Sequence, residues 1–167
     1  MVRINLAALV HDKVGGQLRV ALDLGDTVID QWQLAYLSGE LRCVRIEQGI
    51  LLQGVLETEV EATCIRCLDT FFAPITLEIE DNVVNLPGMP VTPERPVRVN
   101  EEGWADLTPL IREYIWLGLP INPICSPDCS GLCPDCGGNV AAGHCTCADA
   151  PDIDPRWQVL RSLLDES

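Results

Sequence analysis

The spacing of the cysteines constrains this chain more than any other feature. Of nine, two stand as Cys64-Ile65-Arg66-Cys67, two as Cys125-x-x-x-Cys129, and two as Cys133-Pro134-Asp135-Cys136. A further pair, Cys145-Thr146-Cys147, follows nine residues on, and Cys43 stands apart. The odd count argues against complete internal disulfide pairing. In a reducing compartment, cysteines packed this densely read as metal ligands rather than a disulfide framework.

Thiolate suits zinc, which takes four ligands in a tetrahedron. In a C-x-x-C turn both sulfurs reach one ion, while the intervening backbone N–H groups point back at sulfur. A glycine after the second cysteine lets the chain turn tightly around the ion; Cys136-Gly137 has that feature and Cys67-Leu68 does not. The economical partition places Cys64, Cys67, Cys125 and Cys129 on one Zn²⁺, and Cys133, Cys136, Cys145 and Cys147 on a second. Cys43 is then an ordinary buried thiol. A rival partition has a single site from Cys64, Cys67, Cys133 and Cys136. His144 reads as a solvated side chain beside the last cysteines, and His11 as a turn or surface residue. Thiol–disulfide exchange wants C-x-x-C at a helix N-terminus in a βαβ setting; here Cys64 follows an acidic strand and Thr70-Phe71-Phe72 continues as strand.

The rest of the chain supplies the frame. Val2, Ile4, Leu6, Ala8 and Val10 alternate with Arg3, Asn5 and others, and Leu18, Val20 and Leu22 repeat that period. The pattern returns at Val44 and Ile46 before a turn at Gln48-Gly49. Leu56, Thr58, Val60 and Ala62 form one face of a strand whose other face is Glu57, Glu59 and Glu61. Ile75, Leu77 and Ile79 repeat this against Glu78 and Glu80. This predicts an antiparallel sheet with one buried and one acidic face. Residues 82–103 hold four prolines and read as a loop, with a short strand at Val97–Val99. Residues 104–120 read as a helix, capped by Asp106, with Leu107, Leu110, Ile111, Tyr114 and Gly118 on one face. Residues 121–149 form the cysteine-rich segment. A helix over 150–167 opens at Asp154-Pro155 and carries Trp157, Leu160 and Leu164. The fold class is α+β, a single domain over 1–167: an antiparallel sheet (1–81) followed by helices and zinc-binding loops.

Eleven basic against 25 acidic residues give a net charge of −14. That disfavours general attraction to DNA or RNA and favours basic partners. No run approaches the roughly 20 apolar residues of a membrane span, and the first residues alternate like a strand rather than a leader. These features predict a cytoplasmic protein with no membrane partner. Phosphate loops, H-E-x-x-H and G-x-S-x-G are absent from the sequence, so no catalytic residue is assigned and no enzymatic activity is expected. The four tryptophans read as core or interface residues. Arg66, at a hairpin tip, is placed either in an ion pair with Asp69 or a nearby glutamate, or in contact with RNA or a partner.

Taken together, these motifs resemble the YceD-like family of large ribosomal RNA subunit accumulation proteins. The residues that carry the resemblance are Leu52-Gln53-Gly54 leading to Cys64-Ile65-Arg66-Cys67-Leu68, Asp106-Leu107, Leu119-Pro120, and the run from Cys125 to Gly137. Asp154-Pro155-Arg156 adds to them. The resemblance implies a β-rich fold with a C-terminal helix and cysteine loops, and a role in accumulating 23S rRNA and building the large subunit. It implies that the second cysteine group is accessory. Partners implied are the pre-large-subunit particle or basic ribosomal proteins, with a local rRNA contact as a further option. A zinc-stabilised interaction module in another pathway is the alternative.

Overall fold

A computed structural model describes residues 1–140, 142–145 and 147. The helix expected over 150–167 lies outside the described residues. The chain divides into two compact units, Met1–Cys129 and Ser130–Ser167.

The first unit is built on a five-stranded antiparallel sheet. Its path runs β2 (Gln17–Leu24), β4 (Trp32–Ile46), β5 (Gly49–Thr63) and β6 (Thr70–Val84), with β3 (Thr27–Ile29) also paired to β4. Three strands of 15 residues make the body. A two-residue turn, Glu47-Gln48, joins β4 to β5, with Ile46 opposite Gly49. The sequence alternation settles the faces. Leu37, Leu41, Leu52, Leu56, Leu77 and Ile79 are buried, while Glu57, Glu61, Glu78 and Glu80 point outward and are exposed. A slip of one residue would exchange the two sets, so the register is strongly specified.

Packed strands this long need relief where backbones approach. Gly39 lies opposite Leu56 with φ +147°, and a Cβ there would stand 2.3 Å from the Val55 carbonyl oxygen. Only glycine fits that approach. Nearby, a register shift separates Leu52 from Gly54 in the β5–β6 ladder, a bulge that bends the strand.

The inner face is covered by a second layer. The strand predicted over residues 2–10 is shorter than the pattern suggests. β1 spans Arg3–Asn5, and α1 spans Ala7–Val10. The break is local: Asn5 Oδ1 accepts the Ala7 N–H at 3.0 Å, and the turn of helix then buries Leu6 and Leu9. β1 pairs with β7 (Trp104–Asp106), Ile4 opposite Ala105. The predicted helix over 104–120 is therefore a strand followed by α2, Thr108–Gly118. The cap position falls on Leu107 and not on Asp106 as expected, and Asp106, one residue earlier, accepts the N–H of Thr108 at its Oδ1 at 3.0 Å. α2 buries Leu110, Ile111 and Ile115 and packs on β6, its Gly118 against Ile75 and Leu77. The proline-rich connection is tied down by Asn85, which is buried and whose amide donates to the carbonyls of Pro90 and Arg95. Among the described residues, no helix is long and apolar enough to cross a membrane.

Candidate metal centres

The β5–β6 hairpin ends in a turn that carries Cys64 and Cys67. Thr63 pairs with Thr70 across its base. The Cys64 N–H donates to the Asp69 carbonyl at 2.9 Å, and the Leu68 N–H returns to the Cys64 carbonyl at 2.9 Å. Leu68 takes the left-handed conformation, φ +63°, the position that Gly137 fills after Cys136 with φ +70°. A leucine there costs about 1–2 kcal/mol of backbone strain, and the surrounding turn holds it. This conformation is not readable from a sequence that lacks the glycine.

The segment after α2 returns to this tip. The Ile65 N–H donates to the Pro123 carbonyl at 3.0 Å. A tight turn, Cys129 N–H to Ser126 carbonyl at 3.0 Å, folds Cys125 and Cys129 to one side. The four sulfurs of Cys64, Cys67, Cys125 and Cys129 lie within 4.8 Å of one another. Cys64 and Cys129 are 3.8 Å apart, Cys67 and Cys125 3.7 Å. A tetrahedral ion about 2.3 Å from each thiolate sets neighbouring sulfurs about 3.8 Å apart, so the spacing fits four ligands of one ion. Cys64, Cys67 and Cys129 are buried, with Phe71 and Ile124 against them; Cys125 is exposed.

Arg66 closes the site from outside. Its guanidinium donates to the carbonyls of Cys129 at 3.0 Å and Pro127 at 3.2 Å. The side chain read from the sequence as a partner of Asp69 or of RNA thus reaches across to the second pair of cysteines and holds their loop.

Electrostatics favour a thiolate at Cys64. The backbone N–H of Cys67 is the main cause; burial opposes it, and the backbone N–H groups of Cys125 and Arg66 add to it, bringing the thiol down to about 6. At Cys67 the Asp69 N–H also favours thiolate. There, burial and hydrogen bonds with the thiols of Cys64, Cys125 and Cys129 prevail and push it up to about 12. Four thiols this close cannot all ionise without a cation to compensate them.

The second unit repeats the arrangement with less around it. The Cys133 N–H donates to the Gly138 carbonyl at 2.8 Å, and the Gly137 N–H to the Cys133 carbonyl at 2.9 Å. The Gly138 N–H reaches the Cys136 sulfur at 3.4 Å. Cys145 comes to 3.8 Å from Cys136, and Cys133, Cys136, Cys145 and Cys147 lie within 4.8 Å of one another. Backbone N–H groups of Cys136 and Asp135 lower Cys133 to about 7. Hydrogen bonds with the thiols of Cys136 and Cys133, then burial, raise Cys147 to about 12. Only Cys133 is buried here; Cys136 is exposed and the other two half-buried.

Each four-thiol group could hold a metal ion. His144 and His11 are exposed and belong to neither. Cys43 is buried in the sheet core, apart from both.

Comparison with known proteins gives the family. The profile of the family described as "Large ribosomal RNA subunit accumulation protein YceD" matches residues 52–164, a stretch that contains both cysteine groups. An uncharacterized protein of Mycobacterium tuberculosis is 32% identical over 163 residues, covering 93% of this chain and 73% of its own length. One of Mycobacterium leprae is 28% identical over 151 residues, covering 87% and 65%. A chloroplastic protein of Zea mays, named large ribosomal RNA subunit accumulation protein YCED homolog 1, is 40% identical over 43 residues, covering 25% of this chain and 15% of its own. No solved structure matches the chain.

Proposed function

The chain belongs to the YceD family of large ribosomal RNA subunit accumulation proteins, and from that premise we propose that it is a zinc-stabilised, non-enzymatic factor for accumulation of 23S rRNA and assembly of the large ribosomal subunit. The observation that carries the reading is the family match across residues 52–164, which takes in both four-thiol groups. The general role in ribosomal subunit accumulation rests on the family; the molecular steps below are our own reading.

The cysteines act as structural ligands. Cys64, Cys67, Cys125 and Cys129 would hold one Zn²⁺, tying the hairpin tip to the segment that follows α2. Cys133, Cys136, Cys145 and Cys147 would hold a second. Zinc has no redox chemistry, and with four protein ligands it keeps no open position for a substrate, which suits a scaffold rather than a catalyst. The net charge of −14 makes general attraction to rRNA unfavourable, so the factor works in the cytoplasm through basic ribosomal proteins on the pre-large-subunit particle.

Two measurements test this reading. Depletion of the protein should lower 23S rRNA relative to 16S, and the protein should co-sediment with pre-large-subunit particles. Unchanged rRNA ratios together with absence from the particles would overturn it. Elemental analysis of protein purified without chelator should give two zinc ions per chain; a metal-free, disulfide-bonded product would remove the zinc part of the proposal.

A further inference from the structure

Beside the hairpin tip, the first unit carries an aromatic face of which the core takes only part: Trp32 packs against the core and is half-buried, while Trp116 is exposed. Trp32 opens β4 and Trp116 lies near the end of α2. Their rings meet edge to face, with centroids 5.1 Å apart and planes at 83°. The predicted apolar stripe of α2 faces the sheet, and Trp116 and Leu117 turn the other way, 58% and 76% exposed. The chain leaves the helix through Pro120 to Ile121, which is 96% exposed. Large apolar side chains gathered in this way on a folded surface mark an interaction site.

Two grooves flank the tryptophan pair. One, of about 590 Å³, is lined by Trp116 and Leu117 together with Asp30, Arg112 and Glu113. The other, of about 460 Å³, is lined by Trp32, Leu119 and Pro120 with Glu61. Three carboxylates thus stand around the two indoles against one guanidinium. Phosphate is repelled by such a rim. A Lys or Arg side chain is attracted both by the carboxylates and by the negative face of an indole. Tryptophan in an apolar pocket with a polar rim is also the residue that most often dominates binding between proteins.

We infer that the Trp32–Trp116 face is a docking surface for a basic, extended segment of a protein partner. An apolar side chain of that segment enters one groove, and a Lys or Arg lies over an indole beside a carboxylate. The identification of the partner as a ribosomal protein rests on the functional reading above; the surface itself rests on the exposed Trp116 and Leu117 beside the half-buried Trp32, the grooves and the charge.

The test uses the full, metal-loaded chain and fluorescently labelled peptides covering the Lys/Arg-rich extensions of large-subunit ribosomal proteins. Anisotropy titrations should find at least one peptide whose affinity falls tenfold or more in Trp116→Ser and in Leu117→Ser, with unchanged far-UV circular dichroism. Asp30→Asn/Glu113→Gln should weaken binding several-fold. Glu57→Gln/Glu59→Gln, which removes the same charge from the outer sheet face, should leave it nearly unaltered. Equal weakening by both charge pairs would reduce the effect to diffuse electrostatics and overturn the proposal. So would unaltered binding in both apolar variants, or no binding by any peptide. A wild-type dimer in light scattering that Trp116→Ser dissolves would overturn it too, by assigning the face to a second copy. Co-sedimentation of the wild-type chain with pre-large-subunit particles reads the functional proposal separately. If the wild type and both apolar variants co-sediment equally, the assembly role stands and the surface falls.

Discussion

Cys43 shows what the sheet core does to a cysteine that is not a ligand. It sits on the inner face of β4 opposite Leu52, fully buried, and burial raises its thiol from about 9 to about 11. The folded chain therefore keeps a proton that the unfolded chain loses at lower pH. Between about pH 9 and 11 the unfolded state binds fewer protons at this site, so stability falls as pH rises through that window and is unaffected below it. Urea unfolding of the wild type and of Cys43→Ala, compared at several pH values, isolates this contribution. The variant is less stable at neutral pH because of the cavity, but the gap should narrow above pH 9. A constant gap to pH 11 would contradict the burial effect. The same scale separates what a sequence can carry from what it cannot. Spacing alone brings out the eight clustered cysteines, because two C-x-x-C turns and two further pairs count to four ligands twice. The left-handed Leu68 carries no glycine to mark it, and the reach of Arg66 to Cys129 and Pro127 joins a turn and a loop about 60 residues apart, which no local pattern encodes.

At the scale of elements, alternation reports faces well and ends poorly. The acidic and apolar faces of β5 and β6 follow the sequence residue by residue, because one face is buried and the other wet. The N-terminal pattern alternates only to Leu6 and is lost at Ala7 and Leu9, and there the chain splits into β1 and α1. Asn5 offers the backbone a local hydrogen bond, and the turn of helix brings Leu6 and Leu9, which a strand would point to opposite faces, into one core. The helix start moves from 104 to Thr108 because residues 104–106 are claimed by β1, a pairing across about 100 residues. The glycine of β4 makes the strongest prediction at this scale. A methyl at Gly39 would meet the Val55 carbonyl oxygen at 2.3 Å, and backbone cannot step aside as a side chain would. Gly39→Ala should cost about 2–4 kcal/mol, a large share of the 5–15 kcal/mol available to a typical domain. Urea midpoints read the loss, and an unchanged midpoint would show that the strands can part at this point without penalty.

For the whole molecule, the two units differ in what holds them together. The first has a sheet with a buried apolar face, and its four-thiol group lies only where the hairpin tip meets the loop after α2. The second, among its described residues, has neither helix nor strand, and an isolated bridge between Leu132 and Asn139 is its nearest approach to one. Structural zinc supplies about 10–16 kcal/mol of binding free energy in small thiolate sites, enough to fold a segment that has little regular structure among its described residues. Removal of metal should therefore act unequally. The thiols of Cys136, Cys145 and Cys147 are open or half-open to solvent, while Cys64, Cys67 and Cys129 are covered. A strong chelator should draw the ion from the second group first, in a distinct faster phase. Hydrogen exchange followed through that phase should show loss of protection at the amides of Cys133, Gly137, Val140 and His144, with the amides of β4 and β5 still protected. Withdrawal of the second equivalent should then loosen residues 64–69 and 123–129 while leaving most of the sheet intact. Release of both ions in a single phase, or collapse of the β4–β5 ladder with the first equivalent, would mean that the sheet depends on metal as heavily as the cysteine loops do.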